Sequence, residues 1–87
     1  MKMASCGTLE SNDCLITVKD HDTLEIQIDS IVFDQFGHQI EAVIRQTLNE
    51  RGIHALFVHI HDKGALDYAI IARLNTAIDR LEIAHET

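Results

Sequence analysis

Two segments with a repeat of two residues constrain the fold of this chain more than any other feature. Leu24, Ile26 and Ile28 alternate with polar residues, and Leu56, Val58 and Ile60 alternate with Phe57, His59 and His61. A period of two predicts β-strands with one buried face and one face left to polar side chains. Residues 14–19 (CLITVK) are rich in β-branched and apolar types and predict a further strand.

Two other segments have the period of an amphipathic helix. The first follows Ser30 and ends near Gly52, and the second runs from about Leu66 to Leu81; in both, apolar residues recur at steps of three and four. Gly37 lies inside the first segment and leaves open whether that helix is continuous, because glycine costs about 1 kcal/mol there relative to alanine.

The element order predicts an α+β fold: a two-layer sandwich with a β-hairpin followed by β-α-β-α. A helix with one apolar stripe has to bury it, so we expect two helices packed on one face of a small mixed four-stranded sheet. The 87 residues are enough for a single domain, residues 1–87. The polar run 10–13 (ESND) lies between strand signals and predicts a hairpin tip, with Ser11 exposed.

The charge balance bears on the partners of the chain. Seven basic and fourteen acidic residues give a net charge of −7, a field that repels phosphate backbones and anionic lipid. We therefore expect no nucleic-acid partner and no membrane association. The first residues lack the apolar region of a secretory signal, which favours a cytoplasmic protein whose two cysteines, Cys6 and Cys14, are buried thiols.

Motifs of autonomous catalysis are missing from the sequence. It has no GxSxG, P-loop, HExxH or glycine fingerprint, and a chain of this size has little room for an enclosed pocket. Carboxylates in turns, such as those of Glu10, Asp13, Asp62 and Asp67, are expected to be solvated rather than tuned for acid–base work. We expect a non-catalytic protein with no catalytic residues.

The histidines raise the question of a metal site. His59 and His61 lie two residues apart on a predicted strand, so both project from one face and could bind zinc with a third ligand such as Asp62 or His21. An outward-facing histidine pair does not by itself supply three convergent ligands. We therefore expect no metal site.

Two serines could carry a covalent group. Asp29-Ser30-Ile31 is similar to the attachment triplet of ordinary phosphopantetheine carrier proteins, but a serine before a helix is more often its N-cap, and we favour that role for Ser30. Ser11, in an exposed polar turn, would be reachable by a modifying enzyme, although serine is also common in turns for local reasons.

Five stretches together resemble the acyl carrier subunit (gamma chain) of citrate lyase. They span about residues 7–81 in matching order and spacing, and the pairing of GTLES with DKGALD is the most specific part. The stretches are Gly7-Thr8-Leu9-Glu10-Ser11-Asn12-Asp13, Ile26-Gln27-Ile28, Gln35-Phe36-Gly37, Asp62-Lys63-Gly64-Ala65-Leu66-Asp67 and Ala72-Arg73-Leu74. Asn12 departs from the pattern, where we expect glycine or another small residue.

The resemblance implies a carrier whose Ser11 is the cofactor-binding residue. In that family the serine of the GTLES stretch holds, through a phosphodiester, a 2'-(5''-phosphoribosyl)-3'-dephospho-CoA group. The terminal thiol of that group carries acetyl and citryl thioesters while citrate is cleaved to acetate and oxaloacetate.

The resemblance also implies partners. These are the alpha and beta subunits of citrate lyase, a prosthetic-group transferase and an acetate-activating ligase. Beside Ser11, Glu10 and Asp13 are expected to help the transferase recognise the turn, and Lys63 and Arg73 to contact partners or the phosphates of the group.

Two alternatives stay open at this point. His59-Ile60-His61-Asp62 is similar to a segment of the related carrier subunit of malonate decarboxylase, which has a similar prosthetic group. The GTLE residues, Lys63 and Ala65-Leu66-Asp67 favour citrate lyase, because the decarboxylase carrier tends to lack them. A non-catalytic structural or metal-binding interaction module is the other alternative.

Overall fold

The computed structural model describes residues 2–86 and contains four strands and two helices. In chain order these are β1 (Met3–Gly7), β2 (Cys14–Lys19), β3 (Leu24–Ser30), α1 (Phe33–Glu50), β4 (Leu56–Asp62) and α2 (Asp67–Glu86). The order confirms the predicted hairpin followed by β-α-β-α.

The four strands form one mixed sheet in the order β1-β2-β4-β3. β2 pairs antiparallel with both β1 and β4, whereas β3 and β4 are parallel and are joined by α1. The parallel pair aligns Leu24 with Leu56 and Asp29 with His61. This register sets which polar side chains meet on the face away from the helices.

Both helices pack on one face of the sheet, so the predicted two-layer α+β fold is confirmed. α1 contacts β3, α2 contacts β1 and β2, and the helices contact each other. Alternate residues of β2 and β4 are fully buried between the layers, including Ile16, Val18, Val58 and Ile60, while their neighbours are only half-buried. Burying each such side chain stabilises the fold by about 1.5–3 kcal/mol.

The start of α1 differs from the prediction. The helix begins at Phe33, the N-cap position is Val32, and no side chain caps it. Ser30 is still part of β3, so its prediction as the N-cap is wrong. Its hydroxyl donates to Asp62 Oδ2 at 2.8 Å and accepts from the Val32 N–H at 3.1 Å. The β3–β4 pairing extends through Ser30 and Asp62, so the chain is still extended at Ser30 and the helix begins three residues later.

Gly37 does not interrupt α1, which is continuous from Phe33 to Glu50. The Phe33 ring lies against the glycine backbone, so a Cβ at residue 37 would come within 2.8 Å of that ring. The glycine therefore makes room for an aromatic side chain on the same helix.

The C-terminus of α1 carries a Schellman motif. Gly52, with φ of 68°, donates to Asn49 O at 3.0 Å, and Ile53 donates to Leu48 O at 2.9 Å. The Arg51 guanidinium reaches α2, donating to Asn75 Oδ1 at 3.0 Å and to Asp79 Oδ1 at 2.8 Å. The end of one helix is thus fixed to the side of the other.

Both cysteines are free and buried, as predicted. Burial raises the pKa of the Cys14 thiol to about 12, and the nearby Asp13 and Asp62 charges add to the rise. Across residues 2–86, neither helix is long and apolar enough to cross a membrane.

Candidate functional site: the tip of the β1–β2 hairpin

Residues 8–13, called here the tip loop, connect β1 and β2 and contain the predicted attachment serine. The Asp13 N–H donates to Glu10 O at 3.2 Å, which closes a β-turn with Ser11 and Asn12 at its centre. Asn12 has φ of 65°. A positive φ at the third residue is what a type II turn requires, and asparagine tolerates it best after glycine. Asn12 can therefore stand where the family pattern predicts a small residue.

Ser11 is exposed at the apex of this turn, as predicted. Within the described part of the chain its hydroxyl forms no hydrogen bond. Ser30, the other candidate, is half-buried, and its hydroxyl is used twice, by Asp62 and by Val32. Of the two serines, only Ser11 presents a free hydroxyl to an enzyme in solution.

The Asp13 carboxylate holds the tip loop together. Its Oδ2 accepts from the Thr8 hydroxyl at 2.7 Å, and its Oδ1 accepts from the Cys14 N–H at 2.7 Å. Arg73, on α2, donates to both oxygens, from Nε at 3.2 Å and from Nη2 at 2.9 Å. These hydrogen bonds, that of Arg73 first and then those of Thr8 and Cys14, lower the pKa of Asp13 from 3.8 to about 2.

A second loop braces the tip. Residues 63–66, called here the supporting turn, connect β4 to α2. The Asn12 N–H donates to Lys63 O at 2.9 Å, and the Lys63 N–H donates to Asp13 O at 2.9 Å. The two loops are therefore joined as a short extension of the sheet, and these two backbone hydrogen bonds hold the turn around Ser11 against the supporting turn.

The Asp62 side chain, on the core face of β4, holds the supporting turn in place. It is 2% exposed, so the expectation that it is solvated is wrong. Its Oδ1 accepts from the Ala65 N–H at 2.9 Å, and its Oδ2 accepts from the Ser30 hydroxyl. Residues 56, 58 and 60 are buried, and Asp62 continues that period, which places it on the core face. This alternation was the signal in the sequence for its burial.

The tip loop presents a serine hydroxyl with no general base bonded to it. Ser11 lies between Glu10 and Asn12, and within residues 2–86 no histidine or lysine bonds to its side chain. A nucleophilic serine needs an adjacent general base that is itself oriented by a third group. The geometry fits a serine that another protein modifies.

The sequence reasoning missed the partnership of Asp13 and Arg73. The two residues lie 60 positions apart, and a local pattern cannot pair them. Asp13 was expected to help the transferase recognise the turn, and Arg73 to contact partners or phosphates. The Asp13 side chain is only 16% exposed and is bonded to the Arg73 guanidinium, so both side chains hold the tip loop, and their roles in recognition stay predictions. Glu10 stays exposed beside Ser11, and Lys63 contributes its backbone to the tip.

The predicted histidine pair lies on the sheet face away from the helices. The rings of His59 and His61 are 4.2 Å apart between centroids, and His59 Nε2 lies 2.7 Å from Asp29 Oδ2. The third polar group at this pair is therefore Asp29. Asp62 faces the core, and His21 lies beside Phe57 and Glu25, so neither of the suggested third ligands is the group that joins the pair.

Comparisons with known proteins give a matching family and a similar fold. Residues 1–81 match a family model described as malonate decarboxylase delta subunit (MdcD). The fold is also similar to a chain in the crystal structure of a Pseudomonas malonate decarboxylase hetero-tetramer in complex with malonate. The TM-score is 0.81 over 92% of this chain and 84% of that one, at 21% identity.

Curated relatives are more similar in sequence. A citrate lyase acyl carrier protein of Haemophilus influenzae (strain PittEE) is 49% identical over 79 residues, which are 91% of this chain and 83% of the relative. Those of Halothermothrix orenii and Albidiferax ferrireducens are 42% and 50% identical, over 91% and 92% of this chain and 85% and 84% of theirs.

The fold and the tip, together with these relatives, define an acyl carrier subunit, a protein that carries an acyl group for other subunits and does not itself catalyse a reaction. Within that class, the chain belongs to the citrate lyase acyl carrier protein family.

Proposed function

We propose that this chain is the acyl carrier subunit of a citrate lyase and that Ser11 is the residue to which its prosthetic group is attached. The observation that carries the proposal is the free, exposed Ser11 hydroxyl at the apex of a braced turn, in the position of the family's GTLES serine. A transferase needs an accessible hydroxyl and a constant presentation of it, and the tip loop offers both.

The residues at the tip fit a covalently attached 2'-(5''-phosphoribosyl)-3'-dephospho-CoA. When bound, this group supplies a terminal thiol that holds an acyl unit as a thioester. The chain contributes the Ser11 oxygen as the ester link, while Asp13 and Arg73 keep the turn in place under it. Since the hydroxyl points into solvent and has no internal partner, its esterification breaks no hydrogen bond of the fold.

The partners proposed for this carrier are the alpha and beta subunits of citrate lyase, which would exchange and cleave the acyl unit. A dedicated transferase and an acetate-activating ligase would load the carrier. Tethering the acyl unit turns its encounters with two active sites into intramolecular events at high effective concentration. Two buried free thiols support a reducing, cytoplasmic setting for this assembly.

A malonate decarboxylase carrier is the second candidate. The description of the matching family model and the similar fold in the Pseudomonas complex favour it. Identities of 42–50% with citrate lyase carriers, against 21% with the chain from that complex, favour citrate lyase. The two candidates share a carrier mechanism and differ in the substrate of the assembly.

The test is intact-mass spectrometry of the chain produced in its native host, as wild type, Ser11→Ala and Ser5→Ala. Ser5 is a matched control because it is an exposed serine in the same hairpin. We expect an adduct of the mass of the prosthetic group on wild type and Ser5→Ala, and none on Ser11→Ala. An adduct that persists in Ser11→Ala would overturn the assignment.

Activity of the loaded carrier separates the two candidates. Wild-type holo chain, added to citrate lyase alpha and beta subunits lacking their carrier, should restore citrate cleavage. Restoration of malonate decarboxylation instead, with malonate decarboxylase subunits lacking theirs, would assign the chain to the second candidate.

A further inference from the structure

The sheet face away from the helices carries a cluster of three potential metal ligands: Asp29, His59 and His61. One ligand atom from each lies within 4.8 Å of the other two. We propose that this cluster binds a divalent transition-metal ion, with zinc as the reference ion. The inference is independent of the proposed carrier function, because the cluster faces away from the core and involves no residue of the tip loop.

The backbone brings the three residues together. β3 and β4 are parallel neighbours whose register places Asp29 opposite His61, and His59 lies two residues before His61 on the same face. β4 is an inner strand, paired on both sides, so its backbone positions are held by two ladders. Asp29 lies on the edge strand β3, which is paired with β4 alone. All three ligands are thus on strands of the sheet, and two of them are on its inner strand, which favours a more precise site than loops would give.

The chemistry of the set suits zinc. Two imidazole nitrogens and one carboxylate oxygen are zinc ligands, and three protein ligands plus a water make a tetrahedral open site. Zn–N bonds of about 2.0–2.1 Å require ligand atoms roughly 3.3 Å apart. His59 Nε2 and Asp29 Oδ2 are 2.7 Å apart, and no two of the three ligand atoms are more than 4.8 Å apart, so every pair lies within about 1.5 Å of that spacing.

Access and charge both favour a cation here. The Asp29 side chain is 56% exposed and that of His59 is 22% exposed, so a hydrated ion can reach the cluster and lose part of its water shell. The net charge of −7 attracts cations to the surface of the chain.

A second histidine–aspartate contact provides a matched control. His85 Nε2 lies 2.8 Å from Asp20 Oδ1, nearly the same distance as in the His59–Asp29 pair. Among residues 2–86, no third histidine, cysteine or carboxylate ligand joins this pair, whereas His61 joins His59 and Asp29. If a simple hydrogen-bonded pair were enough to bind zinc, both places would bind it; if three ligands are needed, only the cluster will.

The experiment is isothermal titration calorimetry of the full chain, without a polyhistidine tag, with zinc chloride in a non-chelating buffer containing excess magnesium. We expect one zinc ion per chain. The variants His59→Ala, His61→Ala and Asp29→Asn should each weaken binding at least roughly tenfold, the lower end of what losing even an outer-shell partner costs. His85→Ala should bind as wild type does.

Imidazole resonances in NMR spectra give a second readout that identifies the site. On adding zinc, the signals of His59 and His61 should shift together, and those of His85 should stay in place. Ser11→Ala should bind zinc unchanged, which separates this inference from the carrier proposal. No binding, or binding that survives in the His59→Ala/His61→Ala double variant, would overturn it.

Discussion

Asp13 accepts hydrogen bonds from three separate parts of the chain: Thr8 in the tip loop, the first residue of β2, and Arg73 on α2. Because these donors favour the ionised carboxylate, the folded-state pKa lies at about 2, below its ordinary value of 3.8. A lowered pKa adds stability that is complete above the unfolded value and is lost as the pH falls through the folded one.

The first prediction concerns this pH dependence. Asp13→Asn should lower the free energy of unfolding near neutral pH, and its difference from wild type should shrink as the pH falls from about 4 to about 2, where the wild-type carboxylate becomes protonated. Urea unfolding of both proteins at a series of pH values measures this difference in the free energy of unfolding. Asp22→Asn, in the exposed β2–β3 loop, is the control. A difference that stays constant down to the lowest pH would contradict the role given to Asp13.

A second residue-scale prediction compares two glycines with positive φ. Gly7 has φ of 113°, and a Cβ there would lie 1.9 Å from Cys14 O. Gly52 has φ of 68° and open space around it. Gly7→Ala should therefore cost at least about 3 kcal/mol of stability, and Gly52→Ala only about 1–2 kcal/mol. Equal losses of unfolding free energy in the two variants, measured by denaturant unfolding, would show that the close approach of Cys14 O to residue 7 does not affect stability.

At the scale of single residues, the sequence predicted the features that depend only on neighbouring positions in the chain. Turn composition predicted the exposure of Ser11, and it needed no knowledge of the sheet. The Asp13–Arg73 pair and the approach of Asp29 to His59 depend on which elements become neighbours, which no local pattern encodes. Asp62 lies between these cases, because its place in the alternation of β4 predicts burial while its position before a turn suggests solvation.

At the scale of elements, the tip loop is braced by α2 and by the supporting turn. The prediction is that Arg73→Ala frees the tip without unfolding the protein, because the core residues of α2 are unaffected. Amide hydrogen exchange of Asn12 and Lys63, which donate across the two loops, should become several-fold faster, while that of Val58 in the sheet should not change.

The control for this experiment is Arg45→Ala, which removes an exposed pair with Glu41 on α1. It should leave the exchange of both tip amides unchanged. If the amides of Asn12 and Lys63 exchange equally slowly in Arg73→Ala, the two backbone bonds suffice to brace the tip, and the guanidinium is not needed for it.

The two ends of α1 differ in how well the sequence predicts them, because one end has a local cause and the other a long-range cause. The end of α1 at Arg51-Gly52 was predictable, because glycine in a left-handed conformation ends helices. Its start was not, because Ser30 pairs with Asp62 on β4 as the last residue of β3, a long-range contact that delays the helix to Phe33. Phe33 and Phe36 fit the apolar stripe of the helix, yet they are 52% and 44% exposed, and the first buried apolar side chain of α1 is that of Ile40.

At the scale of the whole molecule, one layer of helices on one sheet face makes a single core. Within it, α2 covers β1 and β2, the two strands of the hairpin. Leu74 is fully buried in that core, and Leu66 is 63% exposed just before α2. We predict that Leu74→Ala costs about 2–5 kcal/mol in thermal or denaturant unfolding, a large part of the stability of a domain this small. Leu66→Ala should cost far less, and similar losses would argue against this core.

The fold as a whole was more predictable than its sites. Alternation at 24–29 and 56–61 and two apolar stripes left few arrangements that bury every apolar face, and the two-layer sandwich is the simplest of them. The order of strands within the sheet decides which polar groups meet, and only the structure reveals that order.

The most direct test of the carrier account is residue-level mapping of the attached group. Holo chain from the native host, digested and sequenced by tandem mass spectrometry under conditions that preserve phosphodiesters, should carry the adduct on Ser11. The peptides containing Ser5 and Ser30 should be unmodified. Localisation of the group to Ser30, or to any residue other than Ser11, would contradict the account.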